Sequence, residues 1–186
     1  MKFLKKIGLI ILVIIVLLII VGFFLPGQYK IKEAIEIDRS QEIVYFHAMN
    51  FKEREKWDPW IEKDPDTKSR INMTQSGVGT TWQWEGEKIG AGKITVQKIV
   101  VNEQIVSKLQ FFMSDTTEAR VEWNFKPWKE NKTLVTWEVS GELQGIAEKW
   151  AGIFMKGSLT NSLDKGLQNF KKYLESIPEA YSEQES

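Results

Sequence analysis

The chain contains no cysteine and only one histidine, His47. Without cysteine there can be no disulfide, no thiol nucleophile and no thiolate metal site. A single histidine cannot assemble the usual zinc sites, and the neighbours Val44, Phe46 and Met49 indicate a packing role in a short helix. A general-base role for His47 would need a partner that the sequence does not identify. We therefore predict no metal and no cofactor.

The chain also lacks an excess of charge of either sign, with 25 basic and 25 acidic residues. Setting aside Lys2, Lys5 and Lys6 at the N-terminus leaves 22 basic against 25 acidic residues. A nucleic-acid-binding domain would present a basic face. The composition therefore predicts no nucleic-acid partner.

Familiar catalytic motifs are missing as well, since the sequence has no G-x-S-x-G elbow, no HExxH and no P-loop. The glycine pairs at 77–79 and 90–92 lie between predicted strands, where hairpin turns or bulges are expected. Phosphate-binding glycines instead precede a helix. Asp58 and Asp64 stand in Asp-Pro pairs, which are typical turn formers. With no catalytic constellation, the sequence favours a binding protein over an enzyme.

What the sequence does have is one long uncharged run, residues 7–25, of 19 residues. As a helix this run would be roughly 28 Å long, close to the hydrocarbon thickness of a bilayer. A cleaved signal peptide would have a shorter apolar stretch, about 7–15 residues, and small residues at its cleavage site. Here the bulky Phe23, Phe24 and Leu25 end the run. We predict an uncleaved transmembrane helix, with the lipid bilayer as a partner.

The flanks of this run predict its orientation. Residues 1–6 carry three lysines, whereas Lys30 is the first basic residue after the run. The positive-inside rule then places the N-terminus in the cytoplasm and the following domain on the extracytoplasmic side. Only about three residues separate the run from the first predicted strand, a reach near 10 Å. We expect a single-pass protein whose domain sits against the lipid headgroups.

Residues 29–177 are predicted to form one domain. An alternating first strand is followed by a short helix after Asp38 and Ser40, and then by a turn-rich stretch, 50–66. From residue 69 to 142 the apolar period is two, which predicts an antiparallel meander. Its predicted strands are 70–74, 80–85, 92–101, 104–112, 119–125 and 132–141.

The end of the domain changes to helical spacing. A stripe of Leu159, Leu163, Leu167 and Phe170 predicts a long helix, which continues to Leu174 and Ile177 and is preceded by a less regular helical piece at 146–157. Residues 178–186 read as a disordered acidic tail. The predicted fold is α+β, with a curved antiparallel β-sheet wrapped around the long C-terminal helix.

Four segments in this order resemble a known superfamily. They are Trp-Asp-Pro-Trp at 57–60 with Asp-Pro at 64–65, the glycine- and tryptophan-rich strand pair at 77–92, the T-x-V-T-W strand at 132–141 and the closing helix at 166–175. The chain resembles the helix-grip superfamily of START-like, Bet v 1-like and polyketide cyclase/dehydrase-like (SRPBCC) domains. That resemblance implies a hollow between sheet and helix that holds an apolar small molecule or lipid. It does not imply one reaction.

The aromatic residues supply the candidate binding site. Strand parity places Trp82 with Trp84 on one face, and repeats this pattern around Trp123 and Trp137, with Gln83, Arg120, Glu122 and Glu138 on the solvated faces. Large aromatic rings either fill a core or line a pocket, and both readings stay open. The predicted lining, with no catalytic residue assigned, is Trp57, Trp60, Trp82, Trp84, Phe111, Trp123, Trp137 and Leu163.

Three functions are compatible with these features. The first is a membrane-anchored module that binds or transports a hydrophobic molecule. The second is a cyclase/dehydrase- or hydrolase-like enzyme, which would require two or more convergent titratable groups on the inner sheet face. The third is a protein-interaction domain whose groove is filled, in which case no room for a ligand would remain.

Overall fold

A computed structural model describes residues 2–112 and 116–178 of the chain. Its first helix, α1 (Lys2–Phe24), contains the long apolar run. Within the described part of the chain, α1 is the one helix long and apolar enough to cross a membrane. From Leu9 to Val21 its apolar side chains are 43% to 62% exposed, so the rest of the protein leaves most of α1 uncovered. A core helix of a soluble protein would be buried instead.

The domain after α1 is built on a seven-stranded sheet in which all neighbours are antiparallel. The strands are β1 (Gln28–Ile37), β2 (Lys68–Asn72), β3 (Thr81–Gly86), β4 (Gly90–Val100), β5 (Gln104–Phe112), β6 (Thr116–Pro127) and β7 (Thr133–Glu142). Their order is β1-β7-β6-β5-β4-β3-β2, so strands β2 to β7 form a meander and β1 closes it beside β7. The sequence prediction of an antiparallel meander is confirmed.

Three helical segments separate β1 from β2, where the sequence suggested one helix and an irregular stretch. They are α2 (Gln41–Met49), a 3-10 helix (Phe51–Lys56) and α3 (Pro59–Lys63). The turn-rich stretch predicted at 50–66 therefore contains two short helical segments, and a turn follows them at residues 65–66. The Asp-Pro pair at 58–59, which suggested a turn, instead starts α3. The Asp58 carboxylate caps this helix by accepting a hydrogen bond from the Trp60 amide at 2.9 Å.

The last element, α4 (Ile146–Ser176), is a single helix of 31 residues. It includes the piece at 146–157 that was predicted to be less regular, and it runs without interruption through Gly152 and Gly157. The stripe of Leu163, Leu167, Phe170 and Leu174 is fully buried against the sheet. This confirms the predicted α+β helix-grip architecture. The predicted acidic tail lies outside the described residues, apart from Pro178.

The inner face of the sheet follows the predicted two-residue period. The side chains predicted to face inward are all buried. They are Trp82 and Trp84 in β3, Val121, Trp123 and Phe125 in β6, and Val135, Trp137 and Val139 in β7. Glu138 departs from the prediction because it is buried on the outer face. Its strand lies between β1 and β6, and its carboxylate forms an ion pair with the Lys30 ammonium at 2.7 Å.

Candidate functional site

A cavity of about 260 Å³ lies between the inner face of the sheet and the first half of α4. It falls just below the usual size range of small-molecule sites, about 300–1,000 Å³. The sheet side of the cavity is apolar apart from one phenol. Its side chains are Tyr29, Trp82, Trp84, Ile89, Ile94, Leu109, Phe111, Val121, Trp137 and Val139.

Close ring packing holds the tryptophans of this wall in place. The rings of Trp82 and Trp84 are stacked with centroids 4.8 Å apart, and Phe111 meets Trp84 edge-on at 5.8 Å. Trp84 lies directly over Gly92, its partner on β4, where any side chain would collide with the indole. Glycine at this position therefore makes room for the ring, which explains one of the glycines in the 90–92 segment.

The helical side of the cavity carries its charged groups. Arg54 and Asp58 both line the cavity and are bonded to each other, with Nη2 and Nε of Arg54 at 2.6 and 2.9 Å from one carboxylate oxygen of Asp58. The guanidinium also lies 4.7 Å from the ring centre of Trp82. Because the two charges are buried and paired, they place little net charge in the cavity.

The remaining polar groups lie where α3 approaches α4. The Lys63 ammonium donates a hydrogen bond to the Ser162 hydroxyl at 3.2 Å, and the exposed Ser158 lies one turn before Ser162. Across the cavity, burial raises the pKa of the Tyr29 phenol above its ordinary value of 10.0. Tyr29 is therefore a neutral hydrogen-bonding group at physiological pH.

The structure brings five of the eight predicted lining residues together around this cavity. These are Trp60, Trp82, Trp84, Phe111 and Trp137. The indole Nε1 of Trp137 is buried and has no hydrogen-bond partner among the described residues. A buried donor without a partner costs about 1–3 kcal/mol.

The other three predicted residues, Trp57, Trp123 and Leu163, do not line the cavity. They belong to the core beside it, where the Trp57 ring packs against Phe170 at 4.8 Å and the Trp123 ring against Trp137 at 4.4 Å. Strand parity correctly predicts which face Trp123 occupies. It cannot predict the position along the sheet at which α4 closes onto that face and fills the space.

Sequence reasoning missed the charged pair at the cavity. Arg54 and Asp58 are four residues apart, the spacing at which side chains on one helical turn meet. That spacing was the available signal, but the helical character of the segment was not recognised. Tyr29, Met155 and Leu159 also line the cavity and were not predicted to do so.

His47 finds the partner that the sequence did not identify. Its Nδ1 is 2.5 Å from the Glu53 carboxylate, and both side chains are buried. Neither residue lines the cavity, so the pair joins α2 to the 3-10 helix away from the candidate site. Among residues 2–112 and 116–178, no group of three or more histidine, aspartate or glutamate side chains is placed to hold a metal ion.

The sheet, the long closing helix and the apolar cavity between them define a helix-grip domain. The chain belongs to the polyketide cyclase/dehydrase and lipid transport family, whose model matches residues 28–175. The matched region starts at the first residue of β1 and ends within the last turn of α4. Comparison with curated protein sequences gives no match.

Solved structures share this fold at low sequence identity. Protein MLL2253 from Mesorhizobium loti has a TM-score of 0.62 at 13% identity, over 81% of this chain and 99% of that one. The Aha1 dimer from Colwellia psychrerythraea has a TM-score of 0.58 at 19% identity, over 80% and 97%. CalU16 from Micromonospora echinospora has a TM-score of 0.55 at 9% identity, over 84% and 82%. At these identities the likeness shows the fold alone.

Proposed function

We propose that this chain is a membrane-anchored binding protein that holds or transports a hydrophobic small molecule or lipid in the cavity between its sheet and α4. The observation that carries the proposal is the 260 Å³ cavity, whose sheet wall consists of apolar and aromatic side chains and one neutral phenol. Such a wall favours an apolar body over a charged one. The family description, which includes lipid transport, supports the same function.

The polar groups at the cavity further limit the class of ligand that would fit. Where α3 approaches α4, Lys63 offers a cation beside the Ser162 hydroxyl. A molecule with an apolar body and one acceptor group, such as a carbonyl, hydroxyl or carboxylate, would satisfy these groups. The volume limits the buried part to a small molecule or a section of one lipid chain.

Binding fits the site better than catalysis does. The enzyme alternative requires two or more convergent titratable groups on the inner sheet face, and among the described residues Tyr29 is the one such group at the cavity. The carboxylate of Asp58 is instead held by Arg54, and the same oxygen accepts both hydrogen bonds from the guanidinium. The open volume also separates this chain from a domain whose groove is filled by its own side chains.

Anchoring by α1 completes the proposal. The helix has the length and composition of a transmembrane span, and its apolar surface is left uncovered by the domain. Three lysines at its N-terminus favour a cytoplasmic N-terminus and an extracytoplasmic domain. The cavity would then lie beside the bilayer from which apolar molecules are drawn.

Native mass spectrometry of the full chain tests the binding proposal. We expect the protein to retain a discrete apolar adduct that is lost in Val139→Phe, because the larger side chain would occupy part of the cavity. Val101→Phe, at a turn 69% exposed, adds the same ring outside the cavity and should retain the adduct. Lipids bound along α1 should appear equally in all three proteins. An identical adduct pattern in all three would contradict the proposal.

A further inference from the structure

The first half of α4 has an apolar face that the domain does not cover. Phe154 is 78% exposed and Ile153 is 50% exposed. Outside α1, they are the one pair of consecutive large apolar residues exposed in the described ranges 2–112 and 116–178. Large exposed apolar patches mark surfaces that meet another phase or partner.

The same face of α4 is already in contact with α1. The Trp150 indole donates a hydrogen bond to the Leu18 carbonyl at 3.2 Å. Gly22 is buried beneath Ile146 and Trp150, and any side chain there would collide with Ile146. Leu18 and Gly22 precede the end of α1 by six and two residues, or about 9 and 3 Å along its axis. The contact therefore lies within the apolar run.

Helical geometry places these residues on one side of α4 and the cavity on the other. At 3.6 residues per turn, Ile146, Trp150, Ile153 and Phe154 share one side. Met155, Leu159 and Ser162, which line the cavity, point to roughly the opposite side. A single helix, about 10 Å across, thus separates the cavity from whatever surrounds α1.

We propose that the first half of α4 docks into the interfacial zone of the membrane that holds α1, with Ile153 and Phe154 among the lipid chains, and forms the wall between bilayer and cavity. This inference rests on the proposed anchoring by α1. The partner is a bilayer because the patch continues the uncovered apolar surface of α1 through Trp150, a residue type typical of membrane interfaces. Lys149 and Lys156 flank the patch and can extend to lipid phosphates.

Single-cysteine labelling tests the docking, since the natural chain has no cysteine. Leu12→Cys, Phe154→Cys, Gly157→Cys and Val101→Cys would each carry an environment-sensitive fluorophore. The full chain is reconstituted in phosphatidylcholine–phosphatidylglycerol vesicles containing lipids with a nitroxide on the acyl chain. Gly157→Cys lies on the docking face, keeps Ile153 and Phe154 intact, and would add a side chain where nothing lies within 4 Å.

We expect acyl-chain nitroxide to quench the labels at 12, 154 and 157 several-fold more than the label at Val101. If position 12 is quenched while 154 and 157 behave like Val101, the docking is contradicted and the anchor stands. If 154 and 157 are shielded from both the nitroxide and aqueous iodide, a protein surface covers the patch, which also contradicts the proposal. If position 12 itself is not quenched, the anchor fails and the docking fails with it. Ligand binding is measured separately on the same proteins, so that a failure of the binding proposal can be distinguished from a failure of the docking.

Discussion

Arg54 and Asp58 place two opposite charges at the wall of an apolar cavity. Their side chains are 5% and 1% exposed, and the guanidinium also contacts the rings of Trp57 and Trp82. Burying two charges is costly unless each stays paired. Asp58 has a second role, because its other carboxylate oxygen caps α3. This one aspartate therefore links the charge balance of the cavity to the start of a helix.

We predict that Asp58→Asn destabilises the protein by about 3–5 kcal/mol, because it leaves the buried Arg54 charge without its counter-ion. Asparagine is as good an N-cap as aspartate, so the cap of α3 should persist and the loss should report the charge. Urea unfolding followed by tryptophan fluorescence measures the change.

The matched control is Asp66→Asn, which removes the same charge from an exposed side chain. Its effect should stay within about 0.5 kcal/mol. Equal losses in the two variants would mean that the Arg54–Asp58 pair has no special weight in stability.

At the scale of one residue, the sequence predicts which face of the sheet a side chain occupies better than it predicts which residues pack around that side chain. Trp82 and Trp123 were both correctly placed on the inner face, yet only Trp82 lines the cavity. The difference arises from Phe170 of α4, which packs against Trp123 and leaves no space there. Such a contact joins residues 47 positions apart in the chain, and local periodicity carries no information about it.

At the scale of elements, α4 has two different halves. Its second half packs against the sheet through four buried apolar residues. Its first half covers the cavity on one side and leaves Ile153 and Phe154 exposed on the other. The apolar spacing predicted the second half correctly. The first half was predicted to be less regular, but it is helical throughout although Gly152 and Gly157 lower its helix propensity. Tertiary contacts such as that of Trp150 with Leu18 stabilise it.

Two glycines of α4 give opposite predictions for the same substitution. A side chain at Gly166 would lie 2.6 Å from the Trp137 ring and 3.1 Å from Pro59. We predict that Gly166→Ala destabilises the protein by about 1–3 kcal/mol through overpacking, despite the better helix propensity of alanine. Thermal unfolding followed by circular dichroism measures the change.

Gly157→Ala is the control, because nothing lies within 4 Å of the added methyl group. It should stabilise the helix by up to about 1 kcal/mol. A gain of similar size for Gly166→Ala would show that α4 does not approach the sheet as closely as the structure indicates.

At the scale of the whole molecule, one helix and one sheet face place a cavity next to the apolar helix α1. The composition and the two apolar spacings of the sequence, that of strands and that of helices, predicted both parts of the chain. These are the helix of residues 7–25 and the α+β helix-grip domain. The contact between them was not predictable, because it depends on Gly22 and Trp150, which are 128 positions apart. Neither residue carries a local pattern that indicates such a partner.

The central claim is that the cavity takes up an apolar molecule, and quenching of tryptophan fluorescence by ω-bromodecanoic acid tests it most directly. Four of the eight tryptophans, Trp60, Trp82, Trp84 and Trp137, line the cavity and would lie near the bromine atom. We predict saturable quenching of the full chain in nanodiscs, preserved in Val101→Phe and weakened at least several-fold in Val139→Phe. Quenching that is non-saturable, or equal in all three proteins, would contradict the claim.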